Sequence, residues 1–207
     1  MTLAETDAVS YRDDPLGYEA RLRAKLTPQR IRSTMSFAAL YQMTHEMIQK
    51  SVLEEVHQFF RTGFADHEWV VDNARYAADV LSRDQNRFRA SLGWLIEMGA
   101  VSTEQAEQLD GIYAHRHELT HELIKYIVDP DAEPDVDAFV RAVTILEDIS
   151  RFWTEVEAGY GTFEDHPDVD LDEIVPLSMM VLQQCIDAYI DGLDGESSPQ
   201  EPDRPGI

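Results

Sequence analysis

Between Thr27 and about Phe60, mostly apolar side chains recur at intervals of three and four: Phe37, Leu40, Tyr41, Thr44, Met47, Ile48, Val52 and Val56. That period matches the α-helical turn and puts one continuous stripe on one helix face. A helix of this length cannot bury its stripe alone, so the rest of the chain must supply partners for it. Thr27 and Pro28 mark its start as an N-cap followed by proline in the first turn, and Gly63 closes the region.

The remaining sequence keeps the same period. A weaker helix is expected from His67 to Leu81. Another should run from Asp84 to Met98, with Leu92, Leu95 and Ile96 facing inward and Gly99 as its stop. Ser102-Thr103-Glu104-Gln105 reads as a capping box. The helix it opens should pass through Leu109, Ile112, Tyr113, Leu119, Leu123 and Ile127 until Pro130 ends it. Asp131 to Asp135 forms an acidic loop. A further helix spans about Val136 to Glu157, before Gly159 and Gly161, and Pro176 opens a last one through Leu177, Val181, Leu182, Ile186 and Ile190. No segment alternates as a half-buried strand does, and no internal repeat is visible. The expectation is an all-α bundle of four to five main helices with additional short helices. Residues 1–26 are expected to form an N-terminal arm or short helix, 27–191 the bundle, and 192–207 a disordered acidic tail.

Charge narrows the functional classes. The chain carries 17 basic and 40 acidic residues, a net of −23. Residues 1–128 hold 14 Lys/Arg against 19 Asp/Glu, whereas 129–207 hold 3 against 21. Such a surface argues against a broad nucleic-acid-binding face but allows a small anion site in the first 128 residues. The lone Cys185 excludes an intramolecular disulfide and a cysteine-rich metal site. Neither a signal peptide nor an apolar run of about 20 residues is evident, so the expectation is cytoplasmic, with no membrane partner.

Residues 115–125, His-Arg-His-Glu-Leu-Thr-His-Glu-Leu-Ile-Lys, contain two overlapping motifs. From His117 the string is His-Glu-x-x-His, a zinc-peptidase signature in which His117 and His121 would hold the metal and Glu118 would lie between them. From Arg116 it is Arg-x4-His, pairing Arg116 with His121. The first string is rarer by chance, but a catalytic zinc needs a third ligand. Glu147 is a conceivable one, as any acid in so acidic a chain would be. The usual zinc-peptidase helix also packs behind a sheet, which is not expected here. Glu122 occupies a position that is normally uncharged.

The second string gains from its surroundings. Arg87-Phe88-Arg89-Ala90-Ser91-Leu92-Gly93-Trp94-Leu95-Ile96-Glu97-Met98-Gly99-Ala100-Val101-Ser102 is followed by an acidic helix leading into Ala114-His115-Arg116-His117-Glu118-Leu119-Thr120-His121-Glu122-Leu123. This order resembles the HEPN superfamily (higher eukaryotes and prokaryotes nucleotide-binding). Its members present a short helix ending near Gly-Leu-Ile-Ser, then an acidic helix, then Arg-Asn-x-x-Ala-His. The likeness extends loosely over residues 27–190, with its specificity in 88–123.

The resemblance implies a HEPN-like bundle and a metal-independent endoribonuclease that needs no cofactor. Arg116 and His121 would be catalytic, with His117, Glu118 and Thr120 as accessories. His117 stands where Asn is usual, Thr120 where Ala is common, and Leu123 where some members carry a tyrosine. It further implies an RNA substrate, a homodimer with the motif near its interface, and a toxin or defence setting in which a protein partner or antitoxin would act. Residue chemistry suits the activity independently. Histidine can move a proton near neutral pH, and arginine forks onto two phosphate oxygens.

Plainer readings stay open. Arg116 could simply pair with Glu118 or Glu122 on a helix surface. Arg21, Arg23, Lys25, Arg30 and Arg32 form the densest basic cluster, either a guide for RNA or a solvated face. His45 and His57 suit surface or packing positions, and Tyr126 partial burial. Trp94, Trp153, Tyr113 and Met98 suit core packing or a dimer interface. A non-catalytic binding module, its acidic half facing a basic partner, is the competing function.

Overall fold

Helix α2 (Pro28–Lys50) is the axis of the bundle. Thr27 caps it by accepting from Arg30 N, and Pro28 sits in its first turn. The helical path continues through a π turn, Ser51–Glu55, into α3 (Val56–Phe59). The expected stripe is the core: Leu40, Tyr41, Ile48, Val52 and Val56 are all buried. The computed structural model describes residues 14–166, 168 and 170–195. Within them, α1 (Pro15–Lys25) precedes α2, a short helix where an arm or short helix was expected.

Five further helices follow a hairpin: α4 (Asn73–Asp79), α5 (Arg87–Glu97), α6 (Thr103–His121), α7 (Leu123–Val128) and α8 (Val136–Gly159). The last, α9, spans Leu177–Gly195. Helix α2 packs against α1, α6, α7, α8 and α9, while α6 also packs against α5 and α8. Leu109, Ile112 and Leu119 of α6 meet Ile145, Leu146 and Ile149 of α8 and Leu182 of α9 in one core cluster. Each such side chain contributes roughly 1.5–3 kcal/mol relative to leaving it in water. The all-α expectation therefore holds.

The structure corrects four boundaries. Residues 67–71 are not helical: β1 (Arg61–Ala65) and β2 (Glu68–Val71) form an antiparallel hairpin, and α4 begins only at Asn73, after Asp72 caps it. Asp66 and His67 make the two-residue turn at φ 51° and 66°. The hairpin escaped the periodicity reading because β1 is exposed along its whole length, so no buried face imposes alternation. Cross-strand packing holds it instead, with Phe64 and Trp69 rings 5.1 Å apart and Arg61 over Trp69 at 4.8 Å.

Helix α5 starts at Arg87 rather than Asp84, because Asn86 accepts from Phe88 N and Arg89 N. The helix through the motif is not continuous to Ile127. It stops at His121, Glu122 leaves helical geometry (φ −119°, ψ 26°), and α7 restarts at Leu123. This break lets Tyr126 bury in the core. Finally, α9 continues past Gly192 to Gly195, and the remainder of the expected tail lies outside the described residues.

The acidic loop has a structural role. Lys25 is buried, and its Nζ donates to the Ala132 carbonyl and meets Glu133 at 3.2 Å. Arg30 reaches the same Glu133 at 3.0 Å, and Arg21 pairs with Asp131 at 3.4 Å. Arg23 pairs along its own helix with Glu19. Much of the basic cluster is thus committed to holding α1 and α2 against residues 131–133.

Candidate active site on helix α6

The two faces of the motif helix have different surroundings. Ser102 and Gln105 form the expected capping box, which sets the start of α6 and hence its register. Three contacts then fasten the middle of α6 to α2. Tyr41 donates its hydroxyl to the Ile112 carbonyl at 3.2 Å, the His45 and Tyr113 rings lie 4.6 Å apart edge to face, and Arg116 Nε donates to Gln42 Oε1 at 2.7 Å.

Arg116 is half-buried in this seam. Gln42 Nε2 passes the chain on to Glu46 Oε1 at 2.5 Å. Among the described residues no carboxylate forms an ion pair with Arg116. Glu118, the expected competitor, accepts instead from Lys125 Nζ at 2.6 Å. Lys125 first, and then the nearby Tyr126 hydroxyl, hold its carboxyl below the usual carboxylate range, and the Lys125 bond ties α7 back to α6 across the break at Glu122. Burial, together with Glu118, pushes the Tyr126 hydroxyl upward.

His121 is the last residue of α6 and is exposed, as is His117. Their rings lie 4.3 Å apart, as i and i+4 on one face. Arg116, five positions before His121, lies about 140° away around the axis and faces α2. A single chain therefore presents the arginine and the histidine on different sides of α6. Thr120 donates its hydroxyl to the Arg116 carbonyl at 2.9 Å, a local helix contact.

The neighbouring histidines are structural. His115 Nε2 accepts from the Asp135 amide at 3.0 Å, and its ring meets those of Tyr41 and Tyr126. Burial lowers its pKa, against the opposing pull of Asp135 and Glu118. His45 is buried, and burial first, then the Arg116 charge, lowers its pKa to about 4. His57 packs on Tyr76 and bonds Asn73. Trp94 is buried and stacks on Trp153, whereas Met98 is exposed.

For a zinc site, His117 and His121 supply two of the three protein ligands a catalytic metal needs. Among the described residues no group of three or more His, Cys, Asp or Glu side chains is placed to hold a metal, so Glu147 is not brought to the pair. No helix among them is long and apolar enough to cross a membrane.

Sequence reasoning missed Gln42, the residue that holds Arg116, and Glu46 behind it. Their signal was present: both lie on the polar flank of the apolar α2 stripe, at i and i+4. Compared with protein-family models, with curated proteins and with solved structures, the chain has no match.

Proposed function

We propose that the chain is a HEPN-type, metal-independent endoribonuclease whose catalytic residues are Arg116 and His121. The observation that carries the reading is the state of Arg116. It is gripped through Nε by a neutral amide, and among the described residues no carboxylate forms an ion pair with it. Its terminal amino groups keep the fork that suits two phosphate oxygens, where they would stabilise charge developing in the transition state.

In this mechanism the ribose 2′-hydroxyl attacks the adjacent phosphorus as its proton leaves to an imidazole. The bond to the 5′-oxygen breaks, and that oxygen takes up a proton. The products are a 2′,3′-cyclic phosphate and a 5′-hydroxyl, and DNA is not a substrate. His121, exposed at the end of α6, would move the proton.

Because Arg116 and His121 face different sides of α6, the reading includes a homodimer. In it, two copies of the motif approach across a two-fold axis and the arginine of one meets the histidine of the other. The exposed Ile124 and Val128, one turn apart just beyond His121, offer apolar surface for that approach.

One observation favours the competing reading of a non-catalytic binding module. Arg21, Lys25 and Arg30 already face acids of the same chain, which leaves less basic surface to lead RNA to the site. Product-end analysis separates the readings. The nuclease reading expects a cyclic phosphate from an oligoribonucleotide and no cut where the attacking 2′-hydroxyl is replaced by hydrogen. Cleavage of that deoxy position would refute the mechanism, and intact RNA from folded protein would leave the binding module.

A further inference from the structure

A cavity of about 200 Å³ lies where the end of α2, the C-terminal half of α8, the start of α9 and the foot of β1 meet. Glu55, Gln58, Phe59, Trp153, Glu157 and Tyr160 are among its walls, and no residue of the Arg116 site lines it. A shallower cleft shares five of its wall residues and continues outward to Trp69.

Two features single this cavity out. The first is the π turn Ser51–Glu55, whose first and last residues both line it. A π turn inserts one residue into a helix at the expense of regular hydrogen bonding, and such turns recur where a helix presents a side chain to a ligand. Here the turn ends on Glu55, which is half-buried. Burial pushes the Glu55 carboxyl above its ordinary range, Glu157 and Glu54 push the same way, and Ser51 and Lys50 oppose them. The second feature is Gln58 Oε1 on a wall residue, a hydrogen-bond acceptor that is buried without a partner among the described residues and that an ammonium could donate to. Folded proteins rarely leave such groups unmatched.

Lys50 and Arg61 also line the cavity, but among the described residues neither forms an ion pair with Glu55. Lys50 is exposed. Arg61 is engaged elsewhere, its Nε donating to the Gln58 carbonyl at 2.9 Å and its guanidinium lying over Trp69. Aromatic walls around a half-buried carboxyl match the needs of a cation carried on an apolar body. The walls drawn from α8 and α9 belong to the strongly acidic half of the chain, which attracts cations and repels anions.

We propose that this cavity binds a small organic cation, an amine on an apolar body, with Glu55 as its counter-ion and Phe59, Trp153 and Tyr160 as its walls. The site is independent of the nuclease reading, and its test uses no RNA.

The test is calorimetric titration of the full chain at neutral pH with phenethylamine and with its neutral counterpart 2-phenylethanol. The amine should bind saturably, one per chain, with a parallel change in tryptophan fluorescence. The alcohol should bind weaker by on the order of tenfold, and Glu55→Gln should weaken the amine by a similar factor while leaving the alcohol unchanged. Glu157→Gln, at an exposed position, should weaken the amine by roughly two- to threefold. Absence of saturable amine binding overturns the proposal, as does undiminished binding by a folded Glu55→Gln protein. If Glu55→Gln does not fold by circular dichroism, equal affinity for amine and alcohol in both wild type and Glu157→Gln overturns it instead.

Discussion

Arg116 of α6 donates through Nε to Gln42 of α2 at 2.7 Å, and Gln42 in turn donates to Glu46 at 2.5 Å. A neutral amide therefore separates the guanidinium from the carboxylate behind it. Such a link fixes where the arginine points without cancelling its charge, which is what the proposed contact with a phosphate requires.

Replacing the link tests this. Gln42→Ala should lower the single-turnover rate of RNA cleavage by about tenfold through loss of orientation. Gln42→Glu still holds Arg116 but competes for its charge, and should lower the rate at least as far while leaving the melting temperature near or above that of wild type. A Gln42→Glu protein with full activity would mean that the arginine's charge is not used.

His45 makes stability depend on pH. Its folded pKa, about 4, lies below that of a histidine in the unfolded chain, because it is buried beside Arg116 with Glu46 only partly compensating. The unfolded chain therefore binds the proton more readily. The stability contribution is complete above pH 6.5 and is lost as pH falls from there towards 4, on the order of 3 kcal/mol in all. Denaturant melts of His45→Phe should lack this loss. The difference from wild type isolates it from the titration of the many carboxylates. Parallel pH profiles for the two proteins would contradict the assignment.

The hairpin turn is open to improvement. Asp66 and His67 both sit at positive φ, and His67 in particular has no glycine-like freedom there. Asn-Gly suits a two-residue turn of this hand. The double change Asp66→Asn, His67→Gly should stabilise by up to about 1 kcal/mol, read as a raised melting temperature. A lowered one would show that the turn does not have this geometry in solution.

Most of the helical frame was legible because it is written in local chemistry. The stripe of α2, the capping box at Ser102 and Gln105, and the stop at Gly99, which adopts φ 79°, each specify their structure within a few residues. The features that escaped depend on distant partners. The break at Glu122 makes sense only once Tyr126 has a core to enter and Glu118 has Lys125 to hold. The hairpin depends on the Phe64–Trp69 pairing, since neither strand has a buried face to reveal it. For the candidate site, sequence offered Arg116 and His121 as a string, while Gln42, 74 residues away, could be found only in three dimensions. That Arg116 and His121 face apart was already implied by their spacing of five.

Composite sites make a further prediction. If each site joins Arg116 of one chain to His121 of the other, both single mutants are inactive alone. A mixed dimer of Arg116→Ala and His121→Ala nevertheless contains one intact pair. Mixing the two under exchange conditions should therefore restore cleavage, and size-exclusion with light scattering should give the mass of a dimer. Lack of rescue in a demonstrated mixed dimer would place both residues of a site on one chain.

The most direct test of the central claim is cleavage of RNA by purified protein in the presence of excess EDTA, comparing wild type with Arg116→Ala and His121→Ala. The account predicts chelator-resistant cleavage by wild type and its loss in both variants, each of which keeps the wild-type circular dichroism spectrum. Cleavage that survives in either folded variant, or that EDTA abolishes in wild type, would contradict it.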